Sequence, residues 1–225
     1  MKKYKLVLFI LSSHAIISQT TISKKLGDFQ KIKVYNGINL KLIKSDEQKL
    51  QIEGEKGSKV RVKNANGILK ISLKFPEINI KGKVDIKLFY NKNILVIDGN
   101  EGARIKGMGI IQKFLEVKAQ EGAFIDLDIQ TKHLKVKTSS GGIVKLKGAS
   151  KNQEIDLDLY GAHHGYDLNI TDYTSINVGT GAKAEIQVGE TLNAKVSFGG
   201  TVFYKGEPEI LKNKTVAGGI IKQMN

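Results

Sequence analysis

Residues 115–129 decide the fold: Leu115-Glu116-Val117-Lys118-Ala119, then Gln120-Glu121-Gly122-Ala123, then Phe124-Ile125-Asp126-Leu127-Asp128-Ile129. Leu115, Val117 and Ala119 alternate with polar residues, and so do Ile125, Leu127 and Ile129. Alternation of this kind is the period of a strand with one buried face. Glycine at the corner between the two runs permits a positive φ or a close approach of neighbouring backbone. The pattern then returns as Leu134 and Val136, the corner Ser140-Gly141-Gly142, and Val144 and Leu146.

The same corner recurs along the C-terminal half as Gly102-Ala103, Gly122-Ala123, Gly141-Gly142, Gly161-Ala162, Gly181-Ala182, Gly199-Gly200 and Gly218-Gly219. The steps between first glycines are 20, 19, 20, 20, 18 and 19. A fixed period of this size marks a stacked repeat architecture. No stretch carries a helical period. The expected fold is therefore all-β, a parallel β-solenoid (β-helix) with about 19–20 residues per coil and coils ~4.8 Å apart. This reading requires Gly122, Gly141, Gly161 and Gly181 to form a single file along the axis.

Stacking also predicts ladders of outward side chains. Lys106, Asp126 and Lys145 lie four residues after their corner glycines, followed by Gly165, Glu185 and Phe203; Asp128, Lys147 and Asp167 lie two residues further on. The second set begins with Met108 and ends with Gln187 and Lys205; Lys106-Asp126-Lys145 in the first and Asp128-Lys147-Asp167 in the second alternate in sign, as stacked neighbours should.

Residues 20–100 are rich in strand patterns but less regular, with turn signals at Asn36-Gly37, Glu53-Gly54 and Asn66-Gly67. They read either as wider initial coils of the same solenoid or as a cap of β-hairpins. The expected organisation is 1–18 as a signal peptide, 19–100 as this less regular part, and 101–225 as regular coils, the last two sharing one core.

Lys2, Lys3 and Lys5 precede the apolar run 6–11, and Ala15-Ile16-Ile17-Ser18-Gln19 follows. This is the layout of a secretory signal peptide cleaved near Ser18. The expected location is therefore the medium, the periplasm or the outer cell envelope, and no later segment reads as transmembrane. Cysteine is absent, which excludes disulfides, thiolate metal sites, a cysteine nucleophile and a lipoprotein anchor.

The chain has 225 residues, 40% of them hydrophobic and 7% aromatic, with no Trp. That composition suits a thin core of Val, Ile, Leu and Ala. The formal charge is +14, and +11 once Lys2, Lys3 and Lys5 are removed (14 − 3). Such a balance attracts polyanions. The lysines nevertheless alternate with apolar residues, as in Lys135-Val136-Lys137 and Lys145-Leu146-Lys147, which is the pattern of solvated strand faces that resist edge-to-edge aggregation. No specific nucleic-acid binding is expected.

Asp126/Asp128 and Asp156/Asp158 invite comparison with paired catalytic carboxylates, which need separated pKa values in a cleft. Here they alternate with Leu and Ile on exposed faces near lysines, and they read as surface charge pairs. No Gly-x-Ser-x-Gly elbow, P-loop or strand–glycine–helix unit is present, and no cofactor or metal is expected. The irregular repeat is Tyr160-Gly161-Ala162-His163-His164-Gly165-Tyr166. Before it, Leu157 and Leu159 are out of phase with Val136 and Val178 relative to their corner glycines, which implies a bulge. The residues nominated for ligand contact are His163, His164 and Tyr166 there, together with Lys135, Lys137, Lys145 and Lys147, which are expected to come together when two coils stack.

The string Phe29-x-x-Ile32-x-Val34-x-Asn36-Gly37-Ile38-Asn39-Leu40-x-Leu42, with the later glycine corners, resembles the opening of the putative auto-transporter adhesin "head GIN domain" family of Gram-negative bacteria. The resemblance spans roughly Phe29 to Val216. It implies a solenoid-like fold and an extracellular or envelope setting, and no catalytic residue is carried over. The chain departs from lipoprotein-like members of that family in lacking a lipobox cysteine. The leading expectation is a non-catalytic, adhesin-like or structural module that presents a rigid surface to polysaccharide or cell-surface glycan. The alternatives are a polysaccharide lyase or hydrolase on a β-helix, weakened by the presence of only Arg61 and Arg104 as arginines, and a self-assembling envelope protein that associates through its solenoid ends.

Overall fold

The computed structural model describes residues 21–76 and 84–225. The expected signal peptide lies outside the described residues. The strands are β1 (Ile22–Lys25), β2 (Lys31–Val34), β3 (Asn39–Lys44), β4 (Lys49–Glu53), β5 (Val60–Ala65), β6 (Ile68–Leu73), β7 (Asp85–Tyr90), β8 (Val96–Gly99), β9 (Arg104–Ile111), β10 (Phe114–Ala119), β11 (Phe124–Thr138), β12 (Ile143–Leu157), β13 (Ala162–Val178), β14 (Lys183–Gln187), β15 (Thr191–Ser197), β16 (Thr201–Lys205), β17 (Ile210–Val216) and β18 (Ile220–Gln223). The only helical element among the described residues is a short 3-10 turn at Gly57–Lys59.

From Arg104 onward the chain is the parallel β-solenoid that the period requires. Each coil runs from the glycine corner along a leading side, bends, and returns along a trailing side to the next corner. The leading ladder runs β3, β9, the first half of β11, the first half of β12, the first half of β13, β14, β16 and β18, all parallel. The trailing ladder runs β2, β8, β10, the second halves of β11, β12 and β13, then β15 and β17, again parallel. Alternate residues face inward. Ile105, Ile125 and Val144 stack in the leading ladder and continue through His163 to Ala184 and Val202, while Leu115 and Leu134 stack in the trailing one, where buried Gln153 and Thr174 precede Leu192. Each fully buried aliphatic side chain in such a row stabilises the fold by ~1.5–3 kcal/mol. One continuous apolar cluster runs from Phe29 to Tyr204.

The N-terminal part combines coils with a cap, and its coils are stacked out of chain order. The β2–β3 coil lies between the β6–β7 coil and the β8–β9 coil. Beyond β6 and β7 the parallel pattern stops: β5 pairs β6, β4 pairs β7 and β1 pairs β4, all antiparallel. These antiparallel strands cover that end of the core. At the other end, β17 pairs only β15 and β18 pairs only β16 among the described residues. Where earlier coils place Ala194, Val196 and Tyr204 inward, the last coil has Asn213, Thr215 and Gln223 in the same register. The end coil thus has polar groups in three of its core rows.

The corner file differs from the expected one at a single coil. In seven of its eight coils the second left-handed turn position is glycine: Gly37, Gly102, Gly122, Gly141, Gly181, Gly199 and Gly218, all with positive φ. Tyr160, at φ 61, takes that position in the remaining coil, preceded by Leu159 at φ 46. Gly161 is one residue further on and donates its N–H to Asp158 to close the turn, as Gly142 does to Ser139. A Cβ at Gly161 would fall 2.2 Å from Thr138 Oγ1, so glycine is required there by the threonine stacked beneath it. Counted from Tyr160, Leu157 is in phase, registered with Thr138 and Val178. The bulge lies elsewhere, at Gly165–Tyr166, where β13 carries one extra residue against Leu146 of β12. Because Tyr160 holds the corner, His164, and not Gly165, is registered between Lys145 and Glu185.

Candidate functional site

The seven nominated residues separate into two ladders. Lys135 and Lys137 lie in the trailing half of β11, and Lys145 and Lys147 in the leading half of β12. Stacking does not bring the two pairs together. It registers Lys145 with Asp126 and Lys147 with Asp128, and Lys135 with Glu154 and Lys137 with Asp156. The outward rows are partly self-neutralising: Lys147 Nζ is 3.5 Å from Asp128, Lys135 Nζ is 2.6 Å from Glu154, and Lys137 Nζ is 3.7 Å from Glu116. Asp126 and Asp128 therefore face lysines across neighbouring coils.

His163 is a core residue. It is fully buried and registered between Val144 and Ala184. Its Nδ1 donates to the Val144 carbonyl at 3.1 Å, while Nε2 is buried without a hydrogen-bond partner. Burial pushes its pKa down to about 4, against the raising effect of that hydrogen bond, because the charged ring would leave water and its new N–H would find no acceptor. His163 is unavailable to any ligand. His164 and Tyr166 face outward on the leading side. His164 Nδ1 lies 2.7 Å from Glu185, which is also 2.6 Å from Lys183. The Lys183 and His164 hydrogen bonds hold the Glu185 carboxyl below its ordinary range. Lys205 sits over the Tyr166 ring at 5.1 Å. Among the described residues, no group of three His, Asp or Glu side chains is placed to hold a metal ion.

The trailing side carries two grooves. One, of about 530 Å³, runs beside the corner, and its lining includes Lys118, Lys137, Asp156, Asp158, Asn177 and Lys195 together with Ser139 and Ser197. The other lies at the bend end of the same strands, around Phe114, His133, Lys135, Asn152, Glu154 and Tyr173. Phe114, His133, Asn152 and Tyr173 are one register row across four coils. The adjoining rows Lys135–Glu154–Ser175 and Lys137–Asp156–Asn177 connect the grooves, so both belong to one face about 20 Å wide along the strands. The sequence reading found Lys135 and Lys137 on this face but missed the aromatic row. Its signal was available in the spacing of Phe114, His133, Asn152 and Tyr173 at the start of each trailing strand.

Next to the corner groove stands an apolar ridge. Leu159, Tyr160 and Phe198 are all exposed, Tyr160 by 73%. Left-handed backbone costs a residue with a Cβ ~1–2 kcal/mol, so Leu159, Tyr160 and Phe198 (φ 50) are held there against their intrinsic preference.

The family model described as "Putative auto-transporter adhesin, head GIN domain" matches residues 28–208. The chain belongs to that family. Among solved structures, the chain is similar to a putative adhesin from Bacteroides fragilis, with TM-score 0.81 and 18% identity, covering 92% of this chain and 98% of that one. It is also similar to a putative lipid binding protein from Parabacteroides distasonis (TM-score 0.71, 16% identity, 92% and 96% covered) and to a putative adhesin from Parabacteroides merdae (TM-score 0.68, 16% identity, 92% and 96% covered). At these identities the likeness extends to the fold. No curated protein matches the chain. Among the described residues, no helix is long and apolar enough to cross a membrane.

Proposed function

We propose that this head GIN domain protein is a non-catalytic, adhesin-like binding module, secreted or held in the cell envelope, whose trailing face docks glycans or other anionic polymers. The observation that carries this reading is the joining of two grooves into one polar, lysine-bearing face by consecutive registered rows. A polymer laid on it would meet Lys118, Lys137 and Lys195 near the corner and Lys135 near the bend. Lys195 has no ion-pair partner among the described residues, which leaves it free for an anionic group. Attraction between exposed charges is screened by salt, so affinity should fall as ionic strength rises.

The test is a glycan and polyanion array probed with the protein at two ionic strengths. Lys135→Ala/Lys137→Ala is compared with Lys145→Ala/Lys147→Ala. The trailing pair should weaken binding several-fold and the leading pair should not. Binding that ignores salt, or that falls equally in both variants, contradicts the assignment. Release of new reducing ends from pectin, alginate or mucin glycans would favour the lyase or hydrolase reading instead.

A second reading, self-assembly, draws on the last coil. The outer edges of β17 and β18 carry no strand partner among the described residues, and Ile210, Leu211, Val216 and Ile220 are exposed there. Open edges with apolar side chains invite strand pairing between copies. Sedimentation that is independent of concentration into the high micromolar range would remove this reading.

A further inference from the structure

Every coil with a left-handed corner uses glycine at the second turn position, except the one with Tyr160. The turn itself does not need that side chain. The Tyr160 N–H bonds to the Thr180 carbonyl at 3.0 Å, as the Gly141 N–H bonds to that of Leu159 and the Gly181 N–H to that of Phe198. A glycine would make the same bond without strain. The tyrosine is therefore stabilised by nothing in the turn, and the residue is 73% exposed. Strained residues of this kind concentrate at ligand clamps.

The ring nevertheless rests on the neighbouring coil. A Cβ built on Gly181 would fall 2.6 Å from Tyr160 Cε1, so the ring lies against the backbone of the next corner. That glycine leaves room for it. Phe198 stands on the corner of the coil after that, also left-handed and 66% exposed. The ridge follows the groove in the chain: Asp158 and Ser197 line the groove, and the next residues are Leu159-Tyr160 and Phe198. The groove supplies carboxylates from Asp156 and Asp158, the Asn177 amide and the Lys195 ammonium. Asp158 Oδ1 accepts the Leu159 N–H at 2.9 Å, which holds the carboxylate beside the ridge.

We propose that Tyr160 and Phe198, with Asp156, Asp158, Asn177 and Lys195, form a binding subsite for an acidic oligosaccharide. Sugar rings have an apolar C–H face that packs on aromatic rings and a rim of hydroxyls that both donate and accept hydrogen bonds. The ridge fits the face, Asp158 and Asn177 fit the rim, and Lys195 fits a carboxylate or sulfate. A mix of apolar surface and a few convergent polar groups is what small-molecule sites offer. The proposal rests on the reading of the trailing face as glycan-binding and names the subsite and sugar class within it.

The experiment uses the full chain and an array of uronic-acid, sulfated and neutral oligosaccharides, followed by titration of the best ligand. Tyr160→Gly is the decisive variant. It restores the glycine of the other corners, so its melting temperature should equal or exceed that of the wild type, while affinity should fall at least tenfold. Tyr160→Trp should keep binding within about threefold. Wild-type binding with an unchanged Tyr160→Gly affinity overturns the subsite but leaves the face reading standing. Neutral sugars bound as tightly as acidic ones overturn the ligand class. Failure of the wild type to bind any glycan overturns the face reading and the subsite together.

Discussion

Lowering the pH should destabilise this protein through one buried histidine, and His163→Leu should remove that sensitivity. In the folded state His163 resists protonation until about pH 4, against an ordinary value of 6.5. The unfolded chain takes up the proton near 6.5. Between those values the unfolded state binds more protons than the folded one, so stability falls as pH drops. Above 6.5 both states are neutral, and below about 4 both are charged, so the loss is confined to that window. At 1.36 kcal/mol per unit, a gap of about two and a half units costs about 3 kcal/mol. For a chain of this size that is a fall in melting temperature of roughly 6–12 °C. Leucine is close to histidine in volume, and its neighbours in the row are Val144 and Ala184, so the variant should fold. The carboxylates of Glu185 and Asp28, both held low by lysine partners, titrate in both proteins and cancel in the comparison. The assay is thermal melting by circular dichroism at pH 7.5, 6, 5 and 4 for both proteins. An equal loss in both between pH 6.5 and 4 would refute the placement of His163 as a neutral core residue.

Glycines of the solenoid should differ sharply in tolerance. Gly148→Ala drives a Cβ to within 2.1 Å of the Ile129 carbonyl in the preceding coil and, with the strain of its left-handed backbone, should cost about 3–5 kcal/mol, whereas Gly122→Ala has open space and should cost only the left-handed strain of about 1–2 kcal/mol; urea melts separate them. Asp98 is buried between Lys33 at 3.3 Å and Lys118 at 3.9 Å and accepts from Asn100 at 2.9 Å. Asp98→Ala should cost about 3 kcal/mol by the same measurement, and a loss below about 1 kcal/mol would place the pair among ordinary surface ion pairs. Leu192 and Leu211 share a row, but Leu192 is fully buried and Leu211 is 45% exposed in the last coil. Leu192→Ala should cost about 2–5 kcal/mol and Leu211→Ala less than about 1 kcal/mol in the monomer.

The period and the alternation were enough to determine the all-β coil, its length and the direction of its ladders, because both are local properties: a strand buries every second residue wherever it lies, and a corner recurs where the chain must turn. The register of Lys106, Asp126 and Lys145 followed from counting alone. Counting from glycine failed at Gly161, where the steric need of Thr138 and not the turn had placed the residue, and Tyr160 held the corner in its stead.

Only the tertiary structure could put β2 and β3 between coils that follow them in the chain, since strand order along the axis depends on which distant edges meet. It also decided that His163 points into the core while His164 points out, and that Lys135 and Lys145 lie in different ladders. Adjacent residues of a strand face opposite ways, and a bend of the backbone sends neighbouring lysine pairs to separate surfaces. Which of the two histidines faces inward was set by the corner at Tyr160, which only the stacked coils reveal.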